Sequence, residues 1–204
     1  MKQVTVTETV FLLEELSDTA REKAIEKMRM ALYDNVDSSQ ITDYLNGELY
    51  AALTGIYDGE ISKKELTKRV GLIVEWSLSH CQGDGVAIYG TLNRSDALNV
   101  NWGGADNATF TRNSHGNHYS HEHCMTIALF EYDDETGYEI DAESDATEMF
   151  AEQFRDLCRE LARSGYAEIE NLTNEQAVID HLEWSEPRRF TIDGDIHPTK
   201  WWGE

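Results

Sequence analysis

Leu72-Ile73-Val74-Glu75-Trp76-Ser77-Leu78-Ser79-His80-Cys81-Gln82-Gly83-Asp84-Gly85-Val86-Ala87-Ile88-Tyr89-Gly90-Thr91-Leu92 is the stretch that decides the fold. Two short alternating runs, Ile73 to Cys81 and Val86 to Leu92, flank a turn of two glycines around an acid. Alternation of period two is the signature of a strand with one buried face, and Gly-Asp-Gly suits a hairpin turn. The same pattern continues downstream in Leu98 to Trp102, Thr109 to Asn113 and His118 to Tyr132. Between these runs lie Asn93-Arg94-Ser95-Asp96, Gly103-Gly104-Ala105-Asp106-Asn107 and Ser114-His115-Gly116-Asn117. Residues 72–132 therefore predict an antiparallel meander of four or five strands.

Upstream the period is helical. A short alternating run at residues 3–11 precedes Ser17, an N-cap for a helix over 18–34 with Ala20, Ala24, Ile25, Met28, Ala31 and Leu32 on one face. Ser39 is read as the cap of a second helix over 40–54. Ser62 with Glu65 forms a capping-box pattern for a third, ending near Gly71. After the meander, Phe150, Phe154, Leu157, Cys158 and Leu161 mark a helix over 143–163, with Gly165 placed as its C-cap. Thr173 with Gln176 opens a helix over 174–184, and Phe190 to Ile196 reads as strand, Asp-Gly turn and return strand. The expected fold class is α+β: a single antiparallel sheet of four to five or more strands, 72–132 plus terminal strands, covered by about five helices. One domain over 1–204 is expected, with a helical part to 71, the sheet over 72–132 and an acidic helical part over 133–204.

Composition constrains the partners. The 204 residues carry 17 Lys plus Arg against 39 Asp plus Glu, a net charge of −22. That balance argues against direct nucleic-acid binding, which depends on basic residues meeting phosphates, and against an anionic membrane surface. No run of about 18 apolar residues marks a membrane span, and no leader precedes the first strand. Cys81, Cys124 and Cys158 are odd in number and widely spaced, which suits a reducing cytoplasm better than a disulfide framework.

The charge is local. Residues 131–170 hold 14 acids and 3 bases, net −11, while residues 71–130 hold 5 acids and 2 bases, net −3. On the predicted 143–163 helix Asp145, Glu148, Glu152, Asp156 and Glu160 step by three or four along one side. Asp133, Asp134, Glu135, Glu139, Asp141 and Glu143 precede them. One reading is a solvated face with ordinary ion pairs at spacing i,i+3. The other is a decoy of negative charge for a protein whose basic cleft normally holds nucleic acid.

Two further features carry chemistry. His115, His118, His121, His123 and Cys124 fall within ten residues. On a strand over 118–128, His121 and His123 share a face and would hold a metal such as zinc, with His80 and Cys81 as complements; the plain reading is surface or half-buried histidines. The Gln82 to Gly85 turn reads either as a simple hairpin or as a pocket lip. In the second case it presents Asp84 to a ligand beside His80, Tyr119 and His121. The terminal Trp201-Trp202 pair either packs on its own domain or forms a contact with a partner or a second copy.

Four pieces in order carry a resemblance: Glu15-Leu16-Ser17-Asp18-Thr19-Ala20-Arg21-Glu22-Lys23-Ala24, Ser79-His80-Cys81-Gln82-Gly83-Asp84-Gly85, Tyr119-Ser120-His121, and Asn174 to Asp180 running on to Phe190-Thr191-Ile192-Asp193-Gly194. Together they span residues 10–196, and the sequence resembles a family of uncharacterised small bacteriophage proteins marked by the Gln-Gly-Asp-Gly turn. The resemblance implies an accessory protein acting in the cytosol of a bacterial host and transfers no catalytic residue. His118, His123 and the Trp201-Trp202 tail depart from that pattern.

These observations set two expectations. The first is a binding protein, not an enzyme, with no cofactor, which blocks a host nucleic-acid-handling or anti-phage defence protein. Its contact residues would be Asp133, Asp134, Glu135, Asp141, Asp145, Glu148, Glu152, Asp156, Trp201 and Trp202. The second is a nucleotide-sequestering or metal-binding protein, or a weak hydrolase, with His80, Asp84, Tyr119 and His121 around a ligand and His121 with His123 on a metal.

Overall fold

The computed structural model describes residues 8–81, 83–113, 119–132, 135–136, 138–185 and 188–198. Residues 3–7 of the expected alternating run at 3–11, with Gln82, His115, His118, Asp133, Asp134, Trp201 and Trp202, lie outside the described residues. The chain is α+β and groups into two compact units, one from the described parts of Met1–Val36 and Ile169–Glu204, the other from Asp37–Glu168.

The larger unit contains the sheet. Strands β1 (Leu72–Ser77), β2 (Gly85–Asn93), β3 (Asn107–Arg112), β4 (Met125–Tyr132) and β5 (Glu139–Asp141) pair antiparallel in sequence order, so β1 and β5 are the edges. The hairpin register is set by the turn: Ser77 pairs with Gly85 and Leu72 with Gly90. Helix α1 (Asp18–Asp34) belongs to the other unit. In this one, α2 (Ser38–Thr54) and α3 (Lys63–Val70) pack against β1. Helix α4 (Ser144–Leu172) brings Phe150 and Phe154 onto Phe110 of β3, with ring centroids at 6.2 and 4.7 Å. Trp102 adds its ring at 5.1 Å from Phe150. These rings are buried together, and burying an aromatic side chain contributes about 2–3 kcal/mol, so this cluster helps anchor α4 on the sheet.

Three sequence expectations change here. Leu98 to Trp102 is not a strand but part of the long β2–β3 connection, because Trp102 folds back to donate its indole N–H to the Ala97 carbonyl at 3.0 Å. Helix α4 does not stop at Gly165. A Cβ at that position would stand 2.6 Å from Leu78 Cδ1 and 3.3 Å from Leu45 Cδ2, so the glycine marks close packing within the helix, not its end. Helix α2 starts at Ser38, two residues before the expected start at 40, and its cap is Asp37, not Ser39, because Asp37 accepts from the Ser39 N–H at 2.8 Å. Strand β5, entirely exposed, has no counterpart in the sequence reading.

The smaller unit pairs α1 with α5 (Glu175–Asp180). Its core is Leu13, Leu16, Ala20, Ala24, Ile25, Met28, Val178, Leu182 and Phe190. Ser17 caps α1 by accepting from Ala20 N–H. Asn174, not Thr173, caps α5; the Thr173 hydroxyl instead donates to the Ile169 carbonyl at 2.8 Å. Phe190 bridges Ile196, as the strand–turn–strand pattern predicts, and also Phe11; these are isolated bridges, so the expected terminal strands do not join the five-stranded sheet. Lys23 donates to Asp195 at 3.2 Å, and Lys27 pairs with the same carboxylate, fastening the Asp193–Gly194 turn to α1.

Candidate functional site

The Gly-Asp-Gly turn closes the β1–β2 hairpin around one carboxylate. Asp84 accepts from Ser79 N–H at 2.6 Å, Cys81 N–H at 2.8 Å, Ser77 Oγ at 3.1 Å and Ser79 Oγ at 3.2 Å. Tyr166 of α4 donates its hydroxyl to the same oxygen as Ser79 N–H, at 2.6 Å. Burial by itself would raise this carboxyl. The Tyr166 hydroxyl, the Cys81 and Ser79 N–H groups and the Ser77 hydroxyl reverse that and hold it at about 2. Asp84 is therefore an anion at neutral pH with its acceptor positions taken by the chain itself.

The loop it organises is unusual. His80 adopts φ +57, the left-handed region that a side chain normally avoids, and stacks on the Tyr166 ring at 4.7 Å. A Cβ on Gly83 would meet the Tyr119 ring at 2.8 Å, and one on Gly85 would meet His121 Cβ at 2.7 Å. The two glycines thus admit residues 119–121 against the turn. Of the residues singled out from sequence, His80 and Asp84 are joined through Tyr166, while Tyr119 and His121 pack against the glycines on either side of Asp84. Tyr166 and the serines complete the group; 82 positions separate Tyr166 from Asp84 in the chain, and no local pattern links them.

The histidine pair is placed differently from expectation. Residues 119–124 are not strand: Glu122–Cys124 is a single 3₁₀ turn, and β4 begins only at Met125. His121 caps that turn, its Nδ1 accepting from His123 N–H at 3.1 Å, and the two rings stand 5.9 Å apart edge to face. Alternation on a strand does not apply to a capped turn, so the shared-face argument for a metal lapses. Among the described residues no group of three or more His, Cys, Asp or Glu gathers as a metal centre. Cys124 and Cys158 are buried, and burial pushes the Cys158 thiol upward, which suits packing.

The acidic segment divides in two. Along α4, Arg155 lies at 2.9 Å from both Glu148 and Glu152, and Arg159 reaches Glu152 at 3.1 Å, Glu122 at 3.3 Å and also Asp156. Two guanidiniums thus serve four carboxylates. These contacts hold Glu152 below, and both arginines above, their ordinary ranges, Arg155 through Glu148 first and Arg159 through Glu152 first. The other part is different. Asp141 on β5, with Glu143 and Asp145 at the start of α4, is exposed, and none of the three carboxylates forms an ion pair among the described residues. Asp145 sits in the first turn, where the helix dipole favours an acid. Glu135 is exposed nearby in sequence.

No family model, curated protein or solved structure matches the chain. Among the described residues, no helix is long and apolar enough to cross a membrane.

Proposed function

We propose that this chain is a binding protein whose acidic surface engages a basic cleft on a partner protein. The observation that carries the reading is the set of exposed carboxylates of Asp141, Glu143 and Asp145, which no Lys or Arg neutralises among the described residues. Residues 131–149 contain nine acids and no Lys or Arg, so the field around this end is negative without local compensation. A cleft built for phosphates offers the matching charge, and electrostatic complementarity sets the encounter rate and the choice of partner. The resemblance to phage accessory proteins makes a host nucleic-acid-handling or defence protein the class of partner. The competing ligand site is less favoured because the Asp84 carboxylate already takes five donors from its own chain.

The test is capture from bacterial lysate over a salt series, with two triple variants. Asp141→Asn/Glu143→Gln/Asp145→Asn removes the uncompensated charge. Glu148→Gln/Glu152→Gln/Asp156→Asn removes charge that Arg155 and Arg159 already offset. The reading requires that a basic-cleft protein is held at low salt and that the first variant releases it more than the second. Capture of no such protein, or equal capture by the wild type and the first variant, defeats it.

A further inference from the structure

Among the described residues, strand β5 is an open edge of the sheet with a definite pattern of backbone groups that no other strand takes. Asp106 N–H donates to the Phe130 carbonyl, and Tyr132 N–H donates to Asp106 Oδ2, so Phe130 and Tyr132 direct their polar groups toward β3. Ala142 N–H donates to the Leu129 carbonyl at 3.0 Å, so Leu129 and, two residues on, Glu131 turn toward β5. In an antiparallel ladder such directions alternate. Ile140, the register partner of Glu131, therefore spends its N–H and C=O on β4. Glu139 and Asp141 point theirs away from the sheet, and all three residues of β5 are exposed. Tyr138 at 75% and Ile140 at 46% exposure stand beside this edge, and so does Tyr132 at 55%, the register partner of Glu139.

Resting on the proposed function, we infer that the partner docks an extended basic segment along β5 as a sixth strand. The outward N–H and C=O groups of Glu139 and Asp141 supply main-chain hydrogen bonds, the mode by which peptides extend a sheet. Charge decides the occupant. A second copy of this chain would bring its own Glu139 and Asp141 against these, and like charges facing across strands destabilise the pair. Lysine or arginine at alternate positions meets Asp141 and the neighbouring Glu143, while the intervening apolar residues, on the opposite face, reach Ile140 or Tyr138. The exposed apolar side chains on an acidic edge have a use in this arrangement that a merely solvated edge would not give them.

The experiment uses the full chain and two eight-residue peptides of equal charge, one alternating lysine and valine, the other alternating lysine and proline. Proline has no N–H to give a ladder, so the second peptide keeps the charge and loses the strand. The expected result at low salt is at least tenfold tighter binding of the lysine–valine peptide. Amide exchange at Glu139 and Asp141 slows at least tenfold with that peptide, and that of Ile140, already bonded, does not change. Equal affinity for the two peptides with unprotected Glu139 and Asp141 amides overturns strand addition and leaves the acidic-surface reading in place. Binding of neither peptide overturns both.

Discussion

Replacing Asp84 by Asn removes one negative charge from a loop in which five donors converge on it. The magnitude follows from the carboxyl's shift. Its ordinary value is 3.8, and the folded chain holds it at about 2. At about 1.4 kcal/mol per unit, that displacement corresponds to roughly 2–3 kcal/mol of preference for the anion in the folded state. Solvent reaches the rim of the loop, which trims the expected value to about 1–2 kcal/mol. The folded value is depressed, so the stabilisation is fully present above about pH 5 and fades as pH falls toward 2. About half should remain near pH 3. Urea unfolding of the wild type and Asp84→Asn from pH 7 to pH 2 measures this as a difference, which cancels the chain's other carboxylates. The expected gap is about 1–2 kcal/mol at pH 7, closing to a few tenths at pH 2. Tyr166→Phe in the wild type should reproduce part of the loss, and in the Asp84→Asn background it should cost little, because the two groups serve one contact. A gap that is independent of pH would refute the reasoning: it would mean that Asn fails by shape, and that charge at Asp84 does not hold the loop.

Three other substitutions probe neighbouring arguments. His80→Gly should be more stable than His80→Ala by about 1 kcal/mol, since both lose the stack on Tyr166 but only Ala keeps the left-handed penalty; thermal unfolding of the pair decides it. Gly165→Ala should change stability by less than about 1 kcal/mol, because the gain in helix propensity opposes the push on Leu78 Cδ1, whereas Gly165→Val should cost about 1–3 kcal/mol in urea unfolding. Arg155→Gln with Arg159→Gln should strengthen low-salt capture of the basic partner and steepen its salt dependence, by releasing Glu148, Glu152 and Asp156; unchanged capture would show that this face takes no part.

The parts of the fold legible in the sequence were those fixed by neighbours in the chain. Ser17 and Ser62 each accept from an N–H three residues on, so their side chains announce the helix start directly. The β1–β2 hairpin follows from two apolar runs and a glycine turn, all within 21 residues. What escaped depended on contacts from afar. Gly165 has the local look of a helix end, and only the closeness of Leu78 and Leu45 accounts for a glycine within the helix. The 98–102 run has apolar residues at alternate positions, but Trp102 is buried through the connection's own fold, which periodicity does not register. His121 was legible as a residue near the turn and not as a cap, because a 3₁₀ turn of three residues leaves no period to read.

The same distinction governs the charge. Composition shows that residues 131–170 carry −11, and spacing shows that Asp145, Glu148, Glu152, Asp156 and Glu160 share one side of a helix. Spacing treats these acids as equivalent, since each has a neighbour three or four residues away. Geometry separates them. Arg155 reaches back seven residues to Glu148 as well as three to Glu152, and Arg159 spans Asp156, Glu152 and Glu122 from before β4. The centre of the stripe is thereby a network of partly neutralised pairs, worth a few tenths of a kcal/mol each at the surface. The uncompensated charge sits at the start of α4 and the end of β5, where among the described residues Asp141, Glu143 and Asp145 have no such arginine. On the proposed function, a basic segment of the partner would meet that corner first, and that corner is also where, among the described residues, the sheet has an unpaired edge. Charge and hydrogen-bonding capacity coincide there, so the contact surface is better placed at the edge of the sheet than along the helix that carries the larger number of acids.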